Sequence, residues 1–443
     1  MLLSFAGACS NGSSNPAADQ DVEVDAVTAD ADASDDVDDE TAESDADAEG
    51  SGDTDIPETD VDEEVDAPAG DWERTYPAAA AMPAPEGAVW ARSIVHLHST
   101  HSHDACDDTP RLEGGAYNEP CIESLRRALC DVRIDVAYVT DHPTHMTEVP
   151  FEDLLLHEPA SDTLVRDELE RPVANVIKCD GGYQVILRAG AEDSLMPLGL
   201  REHVDPDEPT RHEIMNAYTA DAATRMRESG ALVWVAHTEG RPAEELAPLG
   251  IAGLEIYQLH ANLDPNIRGD LLGLEPFAPI TDLFPFISGN TDTPADLSVL
   301  AFLEPNEPSL STWAELLVDG PMVGTGGTDA HENTFPGEAS DGERMDSYRR
   351  MMSWFSNYLL VDGELNWASA DAALRAGRVV VAFDVLGDPS GMDFALSRAS
   401  DGRVEIGESV PLEAGMRLVG SVPTLVGPSG IPAEVTTVVF FTS

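Results

Sequence analysis

From Ser93 to Phe383 strand-like runs alternate with helical ones, and that alternation restricts the fold more than anything else in the chain. The strand-like runs are SIVHLH, IDVAYVTDH, YQVILRAGAED, ALVWVAH, IAGLEIYQLH, PMVGTGGTDAH and RVVVAF. Between them lie helical pieces such as IESLRRALCDV, EIMNAYTADAATRMRESG, LSTWAELLVDG and SADAALRAG. Strands joined through a helix pair in parallel, which predicts an α/β fold. Repeats in this number close into a β/α barrel more readily than they extend an open sheet. In such barrels the chemistry gathers at the C-terminal strand ends.

Those ends carry metal-capable side chains. His96 and His98 close the first strand and, because side chains alternate, share one face while Val95 and Leu97 take the other. Asp104 follows after a short loop. His142 closes YVTDH, Glu192 closes ILRAGAE, His237 closes VWVAH and His260 follows EIYQL. Asp329 and His331 close GTGGTDAH at a spacing of two, again on one face. Any one of these would pass as a structural polar residue. Together, six histidines and three carboxylates at the same end of successive strands predict a metal centre, and mixed ligation of this kind suits Mn, Fe or Zn better than Mg alone. Three further residues are candidates for substrate binding. Arg188 shares a strand face with Glu192, so it either points at the site or makes an internal salt bridge; Arg241 and His145 lie in loops just beyond His237 and His142. His101 and His103 read as supporting or solvent-facing residues of the first loop.

The pieces HLHSTHSHD, VTDH, GAE, AH, the histidine after EIYQL, and TDAH resemble, in order and spacing, the PHP (polymerase and histidinol phosphatase) family of metal-dependent hydrolases. ALRAGRVVVAF and the β-rich tail resemble its carbaryl-hydrolase-like branch. The resemblance implies a distorted seven-stranded β/α (TIM-like) barrel with two or three divalent metal ions. It implies one metal on His96, His98, Glu192 and Asp329, a second shared through Glu192 with His237 and His260, and a third on Asp104, His142 and His331. Glu192, Asp329 and His331 count as catalytic as well as ligating. Departures are Gln258, where the family often has Asn, Glu255 as a competing carboxylate, and Asp104, where some members have His. The implied reaction is phosphoester hydrolysis by a metal-bridging hydroxide. The alternatives are metal-dependent hydrolysis of an ester, amide or carbamate, and a non-catalytic surface module that binds metal or a partner.

Outside the barrel, residues 1–10 resemble the end of a lipoprotein signal in which Cys9 would be lipidated, although no basic segment precedes it and Ala6 stands where Leu is usual. Residues 11–85 are acidic and small, and predict a disordered linker. Barrel residues 86–387 are followed at 388–443 by short β-type runs, a small β-rich domain that either ends in its last strand or is incomplete. The formal charge of −60 opposes phosphate backbones and anionic lipid, which excludes nucleic acid as an expected partner and leaves a small-molecule phosphoester. Membrane contact is expected only through the lipid anchor, in an exported protein of the cell envelope or the extracellular space. Besides Cys9 there are four cysteines, Cys106, Cys121, Cys130 and Cys179. An even number in an exported chain suggests two disulfides with three pairings open, Cys106–Cys121 with Cys130–Cys179 among them; four reduced thiols would fit a cytosolic protein.

Overall fold

The structure, a computed structural model, describes residues 76–289, 291–398, 402–411, 413–421, 425–426 and 431–432. The lipoprotein-like segment and the linker up to residue 75 lie outside them, as does most of the chain beyond residue 421. Fourteen strands matter to the architecture. They are β1 (Ala88–Ile94), β2 (Val136–Val139), β3 (Thr163–Arg166), β4 (Pro172–Lys178), β5 (Gln184–Ala189), β6 (Met196–Leu198) and β7 (Leu232–Val235). After them come β8 (Gly253–Gln258), β9 (Val323–Gly327), β10 (Ser356–Asp362), β11 (Val379–Ala382), β12 (Asp393–Ser397), β13 (Arg403–Glu405) and β14 (Arg417–Ser421).

Hydrogen bonding divides them into a seven-stranded sheet in the order β11-β10-β1-β2-β5-β4-β3, a four-stranded sheet β6-β7-β8-β9, and a small antiparallel sheet β13-β12-β14. The fold is therefore mixed α/β, and its seven-stranded sheet is not the ring of seven parallel strands that the alternation suggests. Only β1-β2-β5 and β7-β8-β9 are parallel, whereas β3, β4, β10, β11 and β6 pair antiparallel. The strand TLVR (β3) follows the half-buried pattern poorly, and its neighbours are polar turns, so periodicity does not reveal the β3–β4 hairpin. The two larger sheets meet at strand tops. Leu97 bridges Ala330 in parallel beyond β1 and β9, and Ala191 N donates to Pro197 O (3.1 Å) beyond β5.

Alternation along the strands supplies two faces. Val136 and Tyr138 of β2, and Leu232 and Trp234 of β7, join one apolar cluster with Val95, Met196 and Val323. Ala137 and Val139, with Val233 and Val235, join another that includes Leu125 and Leu129 of the helix Glu119–Asp131. All four side chains of β2 and of β7 are buried, because a parallel strand is covered on both faces. The helix Trp367–Arg375 starts at a capping box between Asn366 and Ser369 and buries Ala370, Ala373 and Leu374 at helical spacing against Leu359 and Val361 of β10.

Folded structure begins earlier than composition suggests. Ala79 and Met82 pack with Trp90, Tyr358 and Leu360, so residues 76–85 belong to the body and not to the linker. Ile406, beside β13, lies against the same cluster. Two disulfides form, Cys106–Cys121 and Cys130–Cys179, with Cα atoms 6.0 and 5.6 Å apart.

Candidate metal centre

Strands β1 and β9 end side by side, because Asp329 N donates to His96 O and His98 N to Ala330 O, each at 3.1 Å. That pairing brings the HLH and TDAH segments together. Nε2 of His96 and Nε2 of His98 lie 3.1 and 3.2 Å from the same oxygen, Asp329 Oδ1, and 3.1 Å from each other. Asp329 Oδ2 lies 3.0 Å from His260 Nδ1 and 3.6 Å from His237 Nε2. On the far side of His98, the His331 ring stacks at a centroid distance of 3.7 Å. Nε2 of His331 and Nε2 of His142 are each 3.4 Å from Asp104 Oδ2. Glu192 closes the ring, 2.9 Å from His142 Nδ1 and 3.6 Å from His237 Nε2.

All nine ligand candidates thus meet. Their donor atoms form four overlapping groups, each within a sphere fit for one ion: His98, Asp104, His142 and His331; His96, His98 and Asp329; His96, Glu192 and His237; and His237, His260 and Asp329. His96 and His98 are fully buried, whereas the side chains of His142, His237 and His260 keep 16%, 29% and 22% of their surface, so the cluster opens on their side. His237 and Asp329 have φ of 50° and 51°, a left-handed backbone that non-glycine residues rarely adopt and that accumulates at functional sites.

The hydrogen bonds settle which ring nitrogens face inward. A carbonyl oxygen only accepts, so His142 Nδ1, 2.8 Å from Glu192 O, and His331 Nδ1, 2.9 Å from Asp329 O, carry protons. Ser102 Oγ donates to Asp104 Oδ1 at 2.8 Å and therefore accepts from His98 Nδ1 at 3.2 Å. His96 Nδ1 donates to Glu255 Oε1 at 2.7 Å. In all four rings Nε2 faces into the cluster, the arrangement that hydrogen bonds on the rear nitrogen enforce in metal sites. The Nε2 atoms of His96 and His98, 3.1 Å apart beside a carboxylate, need a cation or a proton between them, since two bare lone pairs there would repel. The residues present fit divalent metal.

Electrostatics agree. Among the described residues, the ion-pair partners of Glu192 and Asp329 are all histidines. Burial favours the neutral acid, yet His142 and His237 hold Glu192 down at about 2, and His96 and His331 hold Asp329 well below the usual carboxylate range. Burial lowers His98 far below an ordinary histidine, helped by His331. Against the same desolvation, Glu255 and Asp329 raise His96. A pocket that splits like residues so widely is arranged around charge.

The substrate-binding candidates fare differently. Arg188 is fully buried; its guanidinium bonds Asp371 (2.8 Å), Gly199 O (2.7 Å) and Val173 O, and Tyr138 Oη donates to the same Asp371. It makes the internal salt bridge and does not reach the cluster. Arg241 pairs with Glu245 (3.0 Å) and lies over the Tyr218 ring, with no contact to a cluster residue among the described residues. His145 is at the rim, its ring 6.4 Å from that of His103, which in turn is 5.2 Å from that of His142. Of three buried acids beside the cluster, Glu255 enters the sequence reading only as a competing carboxylate, and Asp141 and Glu239 do not enter it. Glu255 contacts His96 and His237; Asp141 accepts from Ser99 N and Oγ, and burial raises it to about 6; Glu239 accepts from Asn306 at 2.7 Å. Each lies within three residues of a cluster histidine or at an inward strand position, which is the signal that could have found them.

No protein-family model and no curated protein matches the chain. Among solved structures it is similar to a two-domain protein containing a predicted PHP-like metal-dependent phosphoesterase from Bacteroides vulgatus ATCC 8482, with 13% identity over 71% of this chain and 70% of that one and a TM-score of 0.34. It is also similar to PsfC from Pseudomonas syringae PB-5123 (12% identity, 66% and 91% covered, TM-score 0.36). A third is the lesion-specific endonuclease PfuEndoQ from Pyrococcus furiosus (12% identity, 70% and 63% covered, TM-score 0.32). These likenesses are remote, and the chemistry of the site rests on its own geometry.

Proposed function

We propose that this chain is a metal-dependent hydrolase of the PHP type that cleaves small phosphoesters. The observation that carries the reading is the convergence of four Nε2 atoms and three carboxylates on one pocket. On this reading the two larger sheets are the halves of a distorted β/α barrel, and the cluster sits at its C-terminal mouth. Asp329 is the shared ligand, since it reaches His96, His98, His237, His260 and His331. Glu192 links the His142 side to the His237 side, and Asp104 completes the group around His331. Two or three Mn, Fe or Zn ions fit the overlapping groups. When bound, such ions lower the pKa of a coordinated water toward neutrality and neutralise phosphoester oxygens. The chain's own part is to hold these ligands in a buried frame and leave the opening beside His142, His237 and His260 for the substrate, with His103 and His145 on its rim.

The two disulfides support export to an oxidising compartment, where Cys9 would serve as a lipid anchor. The deciding experiment compares hydrolysis of bis-p-nitrophenyl phosphate and p-nitrophenyl acetate by protein reconstituted with Mn, Fe or Zn. Metal-dependent turnover of the phosphodiester, abolished in His98→Ala, is the expected result. Turnover of the acetate alone would move the reaction to carbonyl substrates, and no turnover of either by metal-loaded protein would favour a binding module.

A further inference from the structure

We propose that Glu255, which is not one of the nine ligand candidates, is the positioning residue that locks two of the metal groups together. The inference rests on the metal-centre reading. Glu255 lies in β8, and its side chain is wholly buried. Oε1 accepts from His96 Nδ1 at 2.7 Å, and Oε2 accepts from the backbone N of His237 at 3.2 Å. One carboxylate therefore fixes the tautomer and ring orientation of His96 and also anchors the left-handed backbone of His237. His96 belongs to two of the donor groups and His237 to two, with one in common, so an error in either ring would disturb two groups and the pair together bear on three of the four.

The surrounding backbone is shaped for this carboxylate. The β8–β9 ladder slips by one residue between Glu255 and Tyr257, a bulge of the kind that re-aims side chains next to active sites. Across the ladder, the space that a side chain at Gly327 would occupy is taken by the Glu255 carboxylate, and all three of the nearest atoms to a Cβ built there belong to Glu255. Gly327 is not in the left-handed region, so its lack of a side chain is a matter of room. Among the described residues no arginine or lysine pairs with Glu255; its ion-pair partner is His96. A carboxylate kept in such a place without a permanent counter-charge is there to hold a histidine that binds a cation.

The test compares wild type with Glu255→Ala, Gly327→Ala and the double variant. Metal affinity is read by equilibrium dialysis with Zn and elemental analysis, the His96 tautomer by nitrogen-15 NMR of the metal-free and loaded proteins, and folding by thermal melting of the metal-free form. Each single variant is expected to weaken metal binding about 10- to 100-fold, and each should lose the single protonated Nδ1 state of His96. The double variant should bind no worse than Glu255→Ala, because the added methyl fills the space vacated. Wild-type affinity and an unchanged His96 signal in folded Glu255→Ala would overturn the proposal. So would a lowered melting temperature with metal affinity intact, which marks a purely structural role, and so would normal binding by Gly327→Ala. If wild type itself binds no metal, it is the metal-centre reading that falls.

Discussion

Asp329 touches five histidines from a backbone that most residues avoid. Asn tolerates left-handed φ at least as well as Asp and keeps its shape, but it offers a single neutral oxygen. Asp329→Asn should therefore fold normally and retain less than half of the bound metal, whereas His260→Ala, at the open edge, should lose only part of one equivalent; elemental analysis after dialysis separates the two. Arg188 makes the opposite case. Replacing it with Met leaves Asp371 buried without its partner, so stability should fall by about 3–5 kcal/mol while metal content stays unchanged, which denaturant titration and elemental analysis would show. The nine cluster residues were legible because eight of them close or directly follow an apolar run and Asp104 comes one short loop later, and strand ends on one side of an α/β fold share a location. Arg188 was half legible. Side-chain parity gives a face but not a depth, and Arg188 lies four residues before Glu192, on β5 itself, whereas Glu192 stands beyond the end of that strand. Glu255 was visible as a competing carboxylate in an apolar strand, but only its contacts with His96 Nδ1 and the backbone N of His237 set it behind the donor groups and not within them.

Among elements, the Cys106–Cys121 disulfide ties the loop that carries Asp104 to the helix Glu119–Asp131. Cys106, Asp107 and Asp108 are all left-handed, and the loop also pairs through Cys106 N to His331 O (2.9 Å) and Asp107 N to Glu332 O (2.8 Å). The staple spans 15 residues, for which chain entropy supplies about 3 kcal/mol. Replacing Cys106 and Cys121 with Ala should lower stability by roughly that amount and release metal first from the Asp104, His142 and His331 group. Binding isotherms would show it as loss of one class of site while the others persist; loss of all sites together would contradict it. The even cysteine count left three pairings open, and only the three-dimensional adjacency of loop and helix chooses among them. Periodicity likewise missed the β3–β4 hairpin, whose first strand has no buried side chain, and it placed the start of folded structure too late because Ala79 and Met82 sit in a stretch of alanine and proline.

For the molecule as a whole, charge works against the fold. With 84 acidic and 24 basic residues, self-repulsion opposes compaction, and salt screens it over about 8–10 Å at moderate ionic strength. The melting temperature of the full chain should rise between 10 mM and 500 mM NaCl; a flat or falling response in calorimetry would mean that the acidic groups lie too far apart to matter. The division into two sheets was not readable from alternation alone. Strand and helix order specifies parallel neighbours, but whether the ladder runs unbroken depends on seams such as Leu97 to Ala330, where pairing occurs beyond the strands themselves.

The most direct measurement is the number of divalent ions that the purified full chain holds at equilibrium. Dialysis against micromolar Zn or Mn followed by elemental analysis should give two or three per chain, with a melting temperature that falls on chelation and a stoichiometry that drops in His98→Ala and Asp329→Asn. Less than one ion per chain, with melting indifferent to chelator, would mean that these nine side chains meet for some other reason.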